Sequence, residues 1–389
     1  MKVIVYDPLF SSVGHFFRYN KHVLSLLSDN PLIREIEYIS NGKEGDEYKL
    51  ISPKISVAYG VTGRGSSQIK SYQTKGLKKV ILYVGMMRNY LSVIKYINNS
   101  NSDFCFFTSN GMVPFWMAAL VTCRVNFVVS VISLKWFYDC MTSKHLLYVA
   151  YSKFLKKASL IFVTEEVYRK VLSEANYKSI AVLHDRWLQD LGNDNDALKE
   201  VDAEDNLRLL TLGTISHMKN PIAFVKLLQS SENNRKLEYC YDIYGKSLDK
   251  SGEELGSMVK NSQLINYYDD YIENVKFDSL MKEADIIVIP YDGDYTKFMT
   301  SGVMWDCFKY KKPILCPDLE PFRYYIETFN IGFIYTPETL QDLLDSIVLS
   351  KNTTLVNIQE NYRRLYNEIS HENLLKKFMH DLKMIEGVA

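Results

Sequence analysis

The sequence predicts two doubly wound α/β domains, each a parallel sheet with helices on both faces, opening on a shared cleft. Three observations predict it. Short β-rich runs alternate with helical patterns in both halves of the chain. One acidic, polar stretch interrupts that rhythm near the middle. The length, 389 residues with 47% hydrophobic content, suits two packed cores.

The first domain is expected over residues 1–188, with strands at Val3–Tyr6, Glu35–Ile39, Ile55–Tyr59, Phe104–Thr108, Asn126–Val131, Leu160–Val163 and Ile180–Leu183. Helical patterns lie between most of them, as over Phe17–Leu27 and Leu77–Ile97, and Val113–Cys123 reads as a buried helix. Residues 189–206 carry seven acids against one lysine, the composition of an exposed linker. The βα rhythm then restarts over residues 207–354, with strands at Leu207–Leu212, Leu237–Tyr244, Leu264–Tyr267, Ile286–Ile289, Pro313–Leu315 and Gly332–Tyr335. Residues 355–389 are helical. Ser370 is placed to cap the last helix, with Glu372 in its first turn and Leu375, Phe378, Leu382 and Ile385 along one face.

Lys+Arg and Asp+Glu both number 46, and a chain without basic surplus is a poor nucleic-acid binder. The six cysteines (105, 123, 140, 240, 307 and 316) sit mostly in apolar runs without C-x-x-C spacing, as reduced core residues do. The start, MKVIVYD, enters a strand at once, so no signal peptide is expected and a cytoplasmic location is. Pro114–Phe137 is as long as a membrane span, but Arg124 and Asn126 interrupt it, and it divides into a helix and a strand.

The chemistry concentrates in Ala284–Pro317. There a buried strand hands over, through a polar loop and Thr300-Ser301-Gly302, to a helix running to Tyr310. First-turn N–H groups lack partners and the helix dipole is positive there, so this is an anion site. Asp306 lies one turn below Gly302, four residues on, on the same helix face. Phosphate above and hydroxyls beside a carboxylate suggest a ribose-diphosphate ligand.

This stretch resembles the donor-binding region of nucleotide-sugar glycosyltransferases of the GT-B fold, especially family four. The pattern there is "aD-v-PS … E-x7-E-A-x-x-x-G-x-P-V-I". Asp306 stands where that family has its second glutamate, which holds the donor ribose, and Phe298 stands in place of the first. LLTLGTISHMKNP resembles the element in which a lysine and a preceding arginine clamp the donor diphosphate; Lys219 matches the lysine and Thr214 the arginine position. A lysine just past a strand end, before Pro221 starts a helix, neutralises charge on a leaving diphosphate. Gly245, in Tyr241–Ser247, permits a tight turn under the nucleotide. Tyr271, in the loop where the family recognises the base, is placed to stack on it. The donor set implied is Gly14, Gly213, Thr214, Lys219, Gly245, Tyr271, Thr300, Ser301, Gly302, Val303 and Asp306.

In the first domain, Gly14-His15 follow the first strand, where many GT-B enzymes carry a loop facing donor phosphates and acceptor. His15 and Asp139 are candidate acceptor-side polar groups or bases; Ser109-Asn110-Gly111 and His184-Asp185 also follow strands. P-loop, full G-x-G-x-x-G, H-E-x-x-H and metal-ligand clusters are absent from the sequence, and Asp292-Gly-Asp294 follows a GT-B-like strand, where acids meet sugar hydroxyls.

The resemblance implies a metal-independent hexosyltransferase with no cofactor. It would use a UDP- or GDP-linked sugar and a glycan or lipid-linked acceptor, in bacterial surface polysaccharide synthesis. It also implies retention of anomeric configuration and a terminal helix that returns to the first domain. Two alternatives stand beside it: another two-domain nucleotide-sugar enzyme such as an epimerase, and a GT-B protein that binds sugar nucleotide without turnover. Apolar residues at 77, 80, 84, 87, 91 and 94 give a helical face among Lys78, Lys79, Arg88 and Lys95. With Lys70, Lys75, Lys153, Lys156 and Lys157 they suggest peripheral contact with an anionic membrane.

Overall fold

The computed structural model describes residues 1–8, 14–40, 44–61, 77–109, 113–142, 146–184, 206–231, 239–293, 298, 301–383 and 385. The chain forms two compact units: Met1–Trp187 together with Ile369–Ala389, and Leu188–Glu368. The acidic stretch 189–206 lies, but for Asn206, outside the described residues.

The first unit is a seven-stranded parallel sheet in the order β3-β2-β1-β4-β5-β6-β7. Its strands are β1 (Lys2–Tyr6), β2 (Glu35–Ser40), β3 (Ile55–Tyr59), β4 (Phe104–Phe107), β5 (Phe127–Val131), β6 (Leu160–Val163) and β7 (Ile180–Val182). FCFF, FVVSV and LIFV are buried at every position, because a parallel sheet is covered on both faces. Helices α1 (Gly14–Asp29) and α2 (Glu44–Lys49) connect strands in one direction along the sheet. The return is made by α3 (Leu77–Asn98), α4 (Val113–Thr122), α5 (Lys135–Thr142), α6 (Leu146–Lys157) and α7 (Glu166–Glu174). Right-handed crossovers put the two sets on opposite faces.

The second unit is a six-stranded parallel sheet in the order β10-β9-β8-β11-β12-β13. Its strands are β8 (Leu207–Leu212), β9 (Tyr239–Tyr244), β10 (Ile265–Tyr268), β11 (Ile286–Val288), β12 (Ile314–Pro317) and β13 (Gly332–Tyr335). Its helices are α8 (Pro221–Ser231), α9 (Ser251–Val259), α10 (Asn274–Glu283), α11 (Gly302–Lys309), α12 (Phe322–Phe329), α13 (Leu340–Leu349) and α14 (Lys351–Glu368). Leu209, Tyr241, Ile243, Ile286, Leu315 and Phe224 meet in its core. Strand order reverses between β8 and β11, and in doubly wound sheets ligands bind at that point.

The break between the units falls inside the C-terminal helical stretch, after Glu368. The last helix, α15 (His371–Leu382), belongs to the first unit and packs on α1. Ser370 Oγ accepts from the N–H of Asn373, and the Phe378 ring lies 5.3 Å from Phe162 and 6.3 Å from Phe106. Its buried face is Leu374, Phe378, Leu382 and Ile385; Leu375, expected there, is half-buried and Leu374 takes its place. On α3, Val80 and Val84 are exposed, and Tyr90, Val93, Ile94 and Ile97 are the side chains that reach the core.

Among the described residues no helix is long and apolar enough to cross a membrane, and no cluster of His, Cys, Asp or Glu could hold a metal. Cys105, Cys123, Cys307 and Cys316 are buried free thiols, and Cys240 is a half-buried one.

Candidate functional site

The candidate site is built at the reversal point of the second sheet. β8 ends at Leu212 and the chain turns at Gly213, whose φ of +104° suits glycine. The turn is fixed by its neighbour: Gly213 donates to Tyr244 O at 3.1 Å and Ile215 donates to Lys246 O at 3.0 Å. Gly245, with φ +156°, comes so close that a Cβ built on it would stand 2.7 Å from the Gly213 carbonyl carbon and nearer still to its oxygen.

After the turn, Lys219 N–H donates to Ser216 O at 3.0 Å, Asn220 adopts φ +43°, and Pro221 opens α8. This short loop folds Lys219 back toward the strand end. A Cβ built on Gly213 would lie 3.1 Å from Lys219 Nζ and 4.0 Å from a Val303 methyl. Lys219, Gly213 and the first turn of α11 therefore converge. The ammonium has no ion pair with a described residue, and it lies 5.8 Å from the centroid of the Tyr291 ring. Burial lowers its pKa below the usual lysine value.

Ser301 caps α11: its backbone is extended, and its buried Oγ accepts from Met304 N–H at 3.3 Å. The hydroxyl of Tyr291 lies 3.3 Å from the same Oγ. Burial pushes the Tyr291 phenol up to about 12, so it stays a neutral hydroxyl. The loop carrying Tyr291 is tied to the lysine loop, since Asp292 N–H donates to Met218 O at 3.0 Å. A Cβ built on Gly302 would meet no described residue within 4 Å. Asp306 is half-buried on the next turn of the same helix.

The structure thus brings together Gly213, Lys219, Gly245, Ser301, Gly302 and Val303, with Asp306 one turn on. Thr214 is exposed beside them; Thr300 lies outside the described residues. Tyr271 stands 77% exposed beyond β10, its N–H bonded to its neighbour Asp270. Phe298, where the family pattern has its first glutamate, is buried with φ +61°. His217 is held by Asp249, 2.8 Å from Nδ1, and hydrogen bonds from Ser251 and His217 hold the Asp249 carboxyl well below the usual range.

Three features of this region escaped the sequence. Tyr291 is the main one; its only signal was its place after Pro290, where the family pattern has serine. Tyr244 and Tyr268 stack in register at the ends of β9 and β10, centroids 4.1 Å apart. The third is the Asp249 brace on the loop.

In the first unit, Asp7 directly follows β1 at the corresponding reversal point, buried, accepting from Ser109 Oγ at 2.9 Å and Asn20 Nδ2 at 3.1 Å. Gly14 begins α1, and the side chain of His15 lies outside the described residues, as do Asn110, Gly111 and Asp185. Asp139 is an exposed residue of α5 paired with Lys135 at 3.1 Å, and His184 Nδ1 meets the Thr164 carbonyl at 3.1 Å.

Comparison with solved structures gives full-length matches at low identity. HepE of Anabaena, crystallised with UDP, matches with a TM-score of 0.65 and 11% identity over 98% of this chain and 100% of that one. The lipopolysaccharide outer core galactosyltransferase WaaB matches at 0.63 and 12%, over 98% and 99%. Sucrose-phosphate synthase of Thermosynechococcus elongatus matches at 0.64 and 9%, over the whole of both chains. No protein-family profile and no curated protein sequence matches. The fold is GT-B: two Rossmann-like α/β domains with parallel sheets of seven and six strands.

Proposed function

We propose that this protein is a glycosyltransferase that moves a hexose from a UDP- or GDP-linked sugar to a glycan or lipid-linked acceptor, in the synthesis of bacterial surface polysaccharide. One observation carries the reading: an ammonium without a counter-ion among the described residues, a side-chain-free turn and a helix N-terminus whose first glycine no other described residue crowds converge at the reversal point of the second sheet. The solved relatives support it, since HepE was crystallised with UDP and with UDP-glucose and WaaB is a galactosyltransferase.

In this reading the diphosphate lies against Gly213, where a side chain would block it, with Lys219 on one side and the N–H groups of Gly302 and Val303 on the other. Asp306 accepts from the ribose hydroxyls, and Tyr271 offers its exposed ring to the base. The bond between the anomeric carbon and the diphosphate oxygen breaks while the acceptor oxygen bonds to that carbon and gives up its proton. Lys219 and the dipole of α11 stabilise the charge gathering on the leaving diphosphate, as donors aimed at developing charge do. His15 and Asp139 are the acceptor-side candidates for receiving the proton. The nucleotide sugar is a substrate, and the scheme calls on no metal or resident cofactor. Retention of anomeric configuration and peripheral attachment to the inner face of the membrane complete the proposal.

A thermal-shift screen with UDP, GDP and their sugars tests it. The right ligand at a hundredfold over its Kd stabilises the fold by about 2.7 kcal/mol. No shift with any of them defeats the donor-site reading.

A further inference from the structure

The chain is neutral as a whole, but its charges are segregated. Between Glu47 and Asp103 stand nine lysines and arginines and no acid, and from Tyr48 to Thr164 the only acids are Asp103 and Asp139. Both are engaged. Asp103 accepts from the Lys2 N–H at 2.6 Å, and Asp139 bridges Lys135 at 3.1 Å.

This acid-poor stretch builds α3, α4 and α6, which lie side by side, α3 on α4 and α4 on α6. The side of α3 away from the core carries Ile81, Val84, Arg88, Ser92 and Lys95 at helical spacing, all exposed. Its first turns are aliphatic: Val80, Ile81 and Val84 stand 57%, 64% and 51% exposed. On α4, Met117 and Val121 stand one turn apart at 41% and 72% exposed. From α6 come half-exposed Val149 and exposed Lys153 and Lys156. Arg88, Lys95, Lys153 and Lys156 form no ion pair with a described residue.

We propose that this face of the first unit docks on a bilayer containing anionic phospholipid. The aliphatic residues of α3 and α4 enter the headgroup boundary, and the cations of α3 and α6 meet lipid phosphates. Charge complementarity selects this occupant, because the face has cations, no acid that is not already engaged, and aliphatic side chains between them. A nucleic acid fits less well, since the exposed apolar residues of α3 and α4 are aliphatic, whereas bases stack on aromatic rings. The inference deepens the membrane attachment proposed above, by naming the face and the lipid class that meets it, and it does not depend on the donor site.

Flotation of the full chain with vesicles tests it in the absence of any nucleotide. With vesicles containing about one-third phosphatidylglycerol the protein floats at low salt, and with pure phosphatidylcholine it does not. Arg88→Ala and Lys95→Ala each weaken binding about fivefold. The double substitution Ile81→Glu with Val84→Glu abolishes flotation at an unchanged melting temperature, since both side chains stand in solvent. Should that pair impair folding, Val121→Glu on α4 is the second probe and also reduces flotation. Equal recovery with both vesicles, recovery with neither, or flotation of these glutamate variants at the parent's level overturns the proposal. So does displacement from vesicles by an RNA oligomer that binds parent and glutamate variants equally.

Discussion

The carbonyl of Gly213 occupies the space that a side chain on residue 245 would need. The two turns that end β8 and β9 are thereby locked together, with the N–H of Gly213 bonded back to Tyr244 O. Gly245→Ala should therefore destabilise the second unit by about 3 kcal/mol or more, the range of severe backbone and overpacking lesions. A chemical denaturation curve measures this. A loss under about 1 kcal/mol would mean that the turns separate easily.

Lys219→Ala should lower turnover on the order of 10²–10³-fold while the melting temperature holds, because a positioned charge is removed from a leaving diphosphate. A transfer assay beside a melting curve tests it. Activity within twofold of the parent takes Lys219 out of the mechanism.

Asp306→Ala should weaken UDP or GDP binding about tenfold or more, the worth of a charge-assisted hydrogen bond of roughly 1.5–3 kcal/mol. Asp306→Glu keeps part of the affinity. Calorimetry that finds the alanine variant unchanged removes Asp306 from the ribose.

Burial holds the free Lys219 below the usual lysine value of 10.5, and a diphosphate beside it favours the ammonium and moves that value up. Binding should therefore take up protons at alkaline pH, and affinity should fall as pH rises from the lowered value of the free protein toward that of the complex. Calorimetry in two buffers of different ionisation enthalpy reads the uptake. It should vanish in Lys219→Met; uptake that persists there belongs to another group.

Much of this was legible because buried parallel strands are apolar runs that need no partner to be recognised, as FCFF and FVVSV illustrate. Ser301-Gly302 was legible as a helix start because capping chemistry is local. Tyr291 was not: it is one of 28 tyrosines, and its contacts reach residues 10 and 72 positions away in either direction. Which residues of α3 reach the core was not legible, because apolar residues fill 80, 81, 82 and 84, and period alone does not choose among faces when most are apolar. Leu374 and Leu375 differ by a single helical step of about 100°, and only the neighbouring rings select one.

The place of α15 in the first unit has a consequence for how the chain is made. Synthesis runs from Met1 onward, so the sheet carrying Phe106 and Phe162 leaves the ribosome long before Phe378, which covers both rings. Throughout translation of the second unit, that part of the first sheet stays open to solvent or to a chaperone. The two units are made in sequence but completed in reverse order: the unit begun first is the last to close.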